Sequence, residues 1–143
     1  MVLPKAPFSY DSNHMENDFS LPTSLQTSVT FQRLAPGDFV FRMGEVASCV
    51  YFLKSGAVRL CRHGPQGEVV AIHHAVAGEF FAEASLLSER YHCDAITTRD
   101  ALVASLPSDQ MRKLLRSDPH FAEKWVGILS RQLRRTRASV ERL

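Results

Sequence analysis

Between Gly78 and Ala95 the chain gathers residue types that can hold a small ligand: "GEFFAEASLLSERYHCDA". A carboxylate, Glu83, is followed by the small residues Ala84 and Ser85 and then by a dense polar cluster with Arg90, His92, Cys93 and Asp94. A carboxylate accepts hydrogen bonds from hydroxyls, a turn of small residues lets backbone N–H groups approach a ligand, and a guanidinium or imidazolium neutralises an anion. His92-Cys93-Asp94 also has the residue types of a thiol nucleophile with a base and an orienting acid. Neighbours in an extended segment alternate sides, so Cys93 is expected to face away from both, and no catalytic residue is assigned.

Metal chemistry has less support. His73-His74 and Glu79 raise a cupin-type metal-dependent enzyme as an alternative, but that ligation uses His-x-His, whereas adjacent strand residues point to opposite faces. No second histidine motif follows on a later strand, apart from a lone His92. Cys49, Cys61 and Cys93 are odd in number and suit neither a disulfide framework nor a zinc ribbon, so they read as buried thiols. His63, His73, His74 and His92 could each ligate haem, and nothing singles one out. No metal is expected, and no cofactor is certain.

The elements that would position the cluster follow from period and punctuation. Residues 1–20 lack any hydrophobic period and read as a mobile leader, and Ser12-Asn13-His14-Met15 leaves open whether the native chain starts at Met15. From Leu34 to Leu106, within an all-β roll or barrel domain spanning 21–106, Gly37, Gly44, Gly56, Gly64, Gly67 and Gly78 separate runs rich in Val, Phe, Tyr, Ile and Leu. The expected strands are 39–43, 49–54, 57–62, 68–75, 94–98 and 101–106. Phe39, Phe41 and Met43 share a face, and Val58 and Leu60 oppose Arg59 and Cys61. "KSGAV" reads as a tight hairpin and "HGPQGE" as a longer one.

The period then changes to that of helices, over 107–143. "SDQMRKLLR" carries an acceptor and an acid at its start and predicts a short amphipathic helix. A long helix follows over 119–143, with Asp118 as its cap and Pro119 in its first turn. Along it Ala122, Val126, Leu129, Leu133, Thr136, Val140 and Leu143 recur at steps of four and three, a heptad seam that predicts a parallel homodimer. Phe121, Trp125 and Ile128 form an offset stripe that could dock on the β-segments. The formal charge is +2, with nine Lys or Arg against four acids from Pro107 onward, and a solvated helix face accounts for that surplus. Basic and apolar residues interleave rather than forming the separate basic block of a DNA-gripping zipper helix.

"PGDFVFRMGEVASCVYFLKSGAVRL" together with "GEFFAEASL", set before a short and then a long helix, resembles the sensor half of the Crp/Fnr family of bacterial transcription regulators from about Leu21 to Leu143. The resemblance implies a mainly β fold with α: an antiparallel β-roll (double-stranded β-helix, jelly-roll-like), then a short helix and a long C-terminal dimerisation helix. It implies no enzyme activity. DNA would be bound only through a winged helix-turn-helix absent from this chain, which stops where that domain should begin, as an excised sensor would. No membrane span is expected, and the implied location is cytoplasmic.

In nucleotide-binding members a Glu holds the ribose, a turn of amides faces the cyclic phosphate, and an Arg-Ser/Thr-Ala triplet clamps it. Glu83 matches the ribose Glu, 84–87 the turn and Ala95 the last residue of the triplet. Cys93 and Asp94 therefore stand where Arg and the hydroxyl belong, and Ala82 stands where Gly precedes the Glu. A thiol cannot replace a guanidinium fork and a carboxylate repels phosphate, so a small-molecule effector other than a tightly held cyclic nucleotide is expected. Arg90 or His92 could compensate, or could pair with Asp94. A ligand-free dimerisation module is the remaining alternative.

Overall fold

The computed structural model describes residues 2–3, 14–16 and 19–141, with side chains described over 21–138. Its strands are β1 (Val2–Leu3), β2 (His14–Glu16), β3 (Phe19–Ser20), β4 (Thr30–Leu34), β5 (Phe39–Phe41), β6 (Cys49–Ser55), β7 (Ala57–His63), β8 (Val69–Val76), β9 (Phe80–Phe81), β10 (Asp94–Thr97) and β11 (Ala101–Pro107). The helices are α1 (Thr23–Gln26), α2 (Ser108–Ser117) and α3 (Pro119–Glu141), with a 3-10 turn at Glu83–Ser85. Two antiparallel sheets, ordered β1-β4-β11-β6-β9 and β5-β10-β7-β8, face each other as a roll; β2 and β3 pair separately. The expected mobile leader falls largely outside the described residues. Its described pieces form short ladders, Val2 and Leu3 against Leu34 and Arg33.

The central strands are buried on both faces, and their alternation distributes side chains between two cores. Along β6, Val50 and Phe52 point to the helices while Tyr51 and Leu53 point into the roll. Phe80 and Phe81 of β9 divide the same way. Inside the roll Phe41 stacks on Tyr91 with ring centroids 3.9 Å apart. Outside it, α2 and α3 cover β6 and β11 through Met111, Phe121, Trp125 and Ile128, and Trp125 meets Phe80 edge-on at 4.9 Å. The offset stripe therefore docks on the roll, as its spacing predicts.

Several local expectations need correction. β6 and β7 lie in different sheets, so "KSGAV" is a corner and not a hairpin. Gly56 is needed there twice over: its φ is +93°, and a Cβ would sit 2.3 Å from the Asp100 carbonyl oxygen. "HGPQGE" does join a paired hairpin, β7 to β8, with a register shift at Leu60/Cys61. Strand β5 ends at Phe41 and leaves Met43 exposed. Cys61 is fully buried, while Cys49 and Cys93 are only partly so. Strands β4 and β9 and helix α1 were not anticipated. At the start of α2 the Ser108 hydroxyl makes no capping bond; it is buried without a hydrogen-bond partner among the described residues, and Asp109 pairs with Arg112 instead. Asp118 does cap α3, its Oδ1 accepting from the Phe121 amide at 3.1 Å.

Candidate functional site

The 3-10 turn, strands β7 and β8, the residues just before β10 and the middle of α3 line a cavity of about 560 Å³. Its walls are largely apolar, with Phe41, Leu60, Ile72 and Phe81 from the roll and Leu129 and Leu133 from α3. Polar groups converge from two sides. Glu83, Glu79 and His73 lie on one; Arg62, His92 and Cys93 lie on the other.

Local chain geometry places the acidic side. Ala82 takes φ +66° ahead of the turn, a left-handed conformation that costs a non-glycine residue about 1 kcal/mol. The alanine thus keeps the backbone path that a glycine would follow freely. The turn then closes on its own amides, Ser85 to Ala82 and Leu86 to Glu83. Oε2 of Glu83 is buried with no hydrogen-bond partner among the described residues. Burial pushes this carboxyl above its ordinary range, outweighing the bond from its own amide and the pull of His73, and the Glu79 charge adds to the rise. Burial also pushes Glu79 up, but His73, the Val76 amide and the charge of Arg135 outweigh it and hold that carboxyl low. His73 Nε2 lies 3.3 Å from Glu79 Oε1, and this bond keeps the imidazole above its ordinary value against burial.

The opposite wall differs from the expected one. Asp94 turns out of the cavity: Oδ1 accepts from the Met43 amide at 2.7 Å and Oδ2 lies 3.2 Å from His63 Nδ1. Arg90 is also elsewhere, donating to the Gly44 carbonyl at 2.9 Å beside a separate surface depression. His92 meets Ser88 at 3.1 Å. The expected pairing of Asp94 with Arg90 or His92 is therefore not formed. His92 and Cys93 share the cavity wall, against the expected alternation, because β10 begins only at Asp94 and His92 precedes the strand. Burial raises the Cys93 thiol, against the pull of Arg62, so it is no ready thiolate. Among the described residues no group of three His, Cys, Asp or Glu gathers to hold a metal.

The residue that sequence reasoning missed is Arg62. The β10–β7 ladder ends at the pair of Asp94 with Cys61, and their chain neighbours Cys93 and Arg62 both line the cavity. The guanidinium absent from position 93 thus reaches the same wall from the neighbouring strand. The signal was present: Val58 and Leu60 face inward, and Arg62 is next in that period.

On the helix side, Gln132 exchanges two bonds with the backbone of Phe80, accepting from N–H at 2.7 Å and donating to C=O at 3.2 Å. Its amide stands in for a further strand along the outer edge of β9. Of the seam, Val126 and Leu133 are 60% and 51% exposed and Thr136 is exposed, whereas Ala122 is half-buried and Leu129 packs partly against the roll. The side chains of Val140 and Leu143 lie outside the described residues. No helix among the described residues is long and apolar enough to cross a membrane.

Comparison with known proteins agrees with this architecture. The cyclic nucleotide-binding domain family matches residues 31–118. The patatin-like phospholipase domain-containing protein 6 of Mus musculus is 27% identical over 115 residues, which cover 75% of this chain and 8% of that protein. The cyclic AMP receptor protein of Thermus thermophilus is 31% identical over 105 residues, covering 72% of this chain and 49% of its own length. This chain thus spans half of that regulator's length at most, and a small part of the phospholipase relative. The crystal structure of the sensor domain of the transcriptional regulator DNR from Pseudomonas aeruginosa superposes with a TM-score of 0.67 at 25% identity, covering 78% of this chain and 76% of that one. With the roll, the turn at Glu83 and the docked helix all in place, the chain belongs to the cyclic nucleotide-binding domain family and is homologous to the sensor half of Crp-type transcription regulators.

Proposed function

We propose that the domain senses a small-molecule effector in the cavity between roll and helix, and that it works as a homodimer joined along α3. A change in how the roll grips α3 would pass to a DNA-reading domain of a longer regulator. The observation that carries this reading is that one cavity is lined by both bodies. Glu83 and Cys93 come from the roll, Leu129, Gln132, Leu133 and Thr136 from α3, and Gln132 also pins the helix to Phe80. A ligand touching both sides has differential affinity for two roll-to-helix arrangements, which is what population shift requires. The orphaned Glu83 oxygen favours a ligand-binding role over a purely structural one, since a buried unsatisfied carboxylate is costly until a donor arrives.

Cyclic AMP is not the best fit. With Cys93 and Asp94 in place of the clamp, and Asp94 committed to His63 and Met43, the phosphate lacks its usual fork. Calorimetric titration of the purified domain with cyclic AMP and cyclic GMP is expected to give no micromolar binding, while native mass spectrometry shows a co-purified mass. Micromolar heats would restore the cyclic nucleotide as effector. An empty domain without heats would leave a dimerisation module.

A further inference from the structure

We infer that the effector is a small organic anion whose charged group sits on Arg62, delivered by strand β7 across from the vacated clamp position at Cys93. This rests on the reading of the cavity as an effector site and adds the chemical class of the ligand and the residue that selects it.

Three observations converge. First, Arg62 and Cys93 line the same cavity, each next in sequence to a member of the last β7–β10 pair, Cys61 with Asp94. Second, the side chain is held in place: Arg62 Nε donates to the His92 carbonyl at 2.8 Å. That bond uses the inner nitrogen and leaves the two terminal nitrogens as a fork, the geometry that binds carboxylate and phosphate in bidentate fashion. Third, the charge is not spent within the protein. No carboxylate among the described residues lies within ion-pair distance of Arg62, and Asp94, which pairs with the adjacent Cys61 across the strands, is turned away toward His63.

The rest of the cavity narrows the class. Leu60, Ile72, Phe81 and Leu133 offer an apolar body, and across it the Glu83 oxygen calls for a hydrogen-bond donor. The fitting ligand has an anionic head, an apolar middle and a hydroxyl or amine beyond it. Phosphate and carboxylate heads share the chemistry that Arg62 recognises.

The test uses matched pairs that differ in charge: cyclic AMP with adenosine, and octanoate with octanol. Each is titrated into the full chain while the Arg62 Nε–H and backbone amide resonances are followed by NMR. At least one anion is expected to bind about tenfold or more tightly than its neutral partner, and Arg62→Gln to erase that preference. Which pair shows the preference names the head group as phosphate or carboxylate. Arg62→Lys, which keeps the charge without the fork, retains part of it and guards against a folding artefact. Binding indifferent to charge, or a preference that survives in Arg62→Gln, overturns the assignment and leaves the sensor reading standing. Failure of all four probes overturns the anion assignment too; only an empty cavity by native mass spectrometry, in addition, removes the sensor reading itself.

Discussion

The two halves of α3 differ in composition, aromatic and apolar in the first and rich in arginine in the second, and meet different surroundings. In the first half, Phe121, Trp125 and Ile128 are 3%, 3% and 1% exposed, packed on Phe52, Phe80 and Leu106. Beyond Gln132 the described residues are mostly exposed: Leu133, on the cavity rim, is 51% exposed, and Val126 earlier is 60% exposed. A helix that spends one stripe on its own domain and keeps another open has two attachments of unequal strength. The first half is anchored by hydrophobic burial; the second is tethered by Gln132 and by whatever fills the cavity or covers the seam. The difference shows where a signal can act, because a weakly held segment can be re-aimed by a ligand while a deeply packed one cannot.

The sharpest way to break the comparison is at its strong end. Trp125→Ala removes an edge-on contact with Phe80 and opens a cavity in the outer core, and a loss of about 3–5 kcal/mol by urea denaturation is expected. A loss under about 1 kcal/mol would mean that the first half is not the anchor. Next comes the tether. Gln132→Ala strips the side-chain partner from the Phe80 amide and carbonyl and should cost about 1–3 kcal/mol, with amide exchange accelerating in 130–138 more than in 119–128. Uniform exchange along the helix would deny that the halves differ.

Smaller in folding energy, though decisive for assembly, is Val126→Glu. At 60% exposure and outside the cavity, this substitution should leave the stability of the single chain within about 0.5 kcal/mol while placing a charge on the seam. Sedimentation is expected to show dimer for the parent and monomer for the variant. A variant that still dimerises would move the interface off the heptad positions.

How much of this was legible without coordinates depends on the range of the interaction. The roll, the helix pair, the docking stripe and the Asp118 cap are written in local periods and could be read directly. The corner at Gly56 could not, because a Ser-Gly turn between two strands looks the same whether they pair or part, and only the approach of Asp100, distant in sequence, separates the cases. The strand at Thr30–Leu34 was hidden by Gln32 and Arg33, polar residues that sit half-buried at the side of a sheet. At the cavity, Glu83 and Cys93 were singled out by the family resemblance, whereas Arg62 needed the folded arrangement of β7 beside them. Asp94 and Arg90 were misplaced for the same reason: their partners, Met43 with His63 and Gly44, lie some 30 to 50 residues away.

The smallest expected effect is a pH dependence that ties the cavity to the weaker half of α3. His73 has its folded value raised by Glu79, so the stability it contributes is complete below the unfolded histidine value of about 6.5 and is lost as pH rises through the folded value. Glu79, held low chiefly through His73 and helped by Arg135 on α3, contributes above the unfolded glutamate value of about 4.3 and loses that as pH falls through its folded value. Glu83 runs opposite to Glu79, since its raised value makes the folded state worse as pH climbs through it, so the two partly cancel on the acid side. The clean limb is therefore the alkaline one. Denaturation midpoints should decline slightly from pH 6.5 upward, with a slope of less than one proton per folding event, and Glu79→Gln should flatten that limb. Arg135→Gln removes a charge that lowers Glu79 and should leave the alkaline limb in place while shifting the acid limb upward. If it abolishes the alkaline limb as well, the second half of α3 is bound to the roll more tightly than its exposure implies.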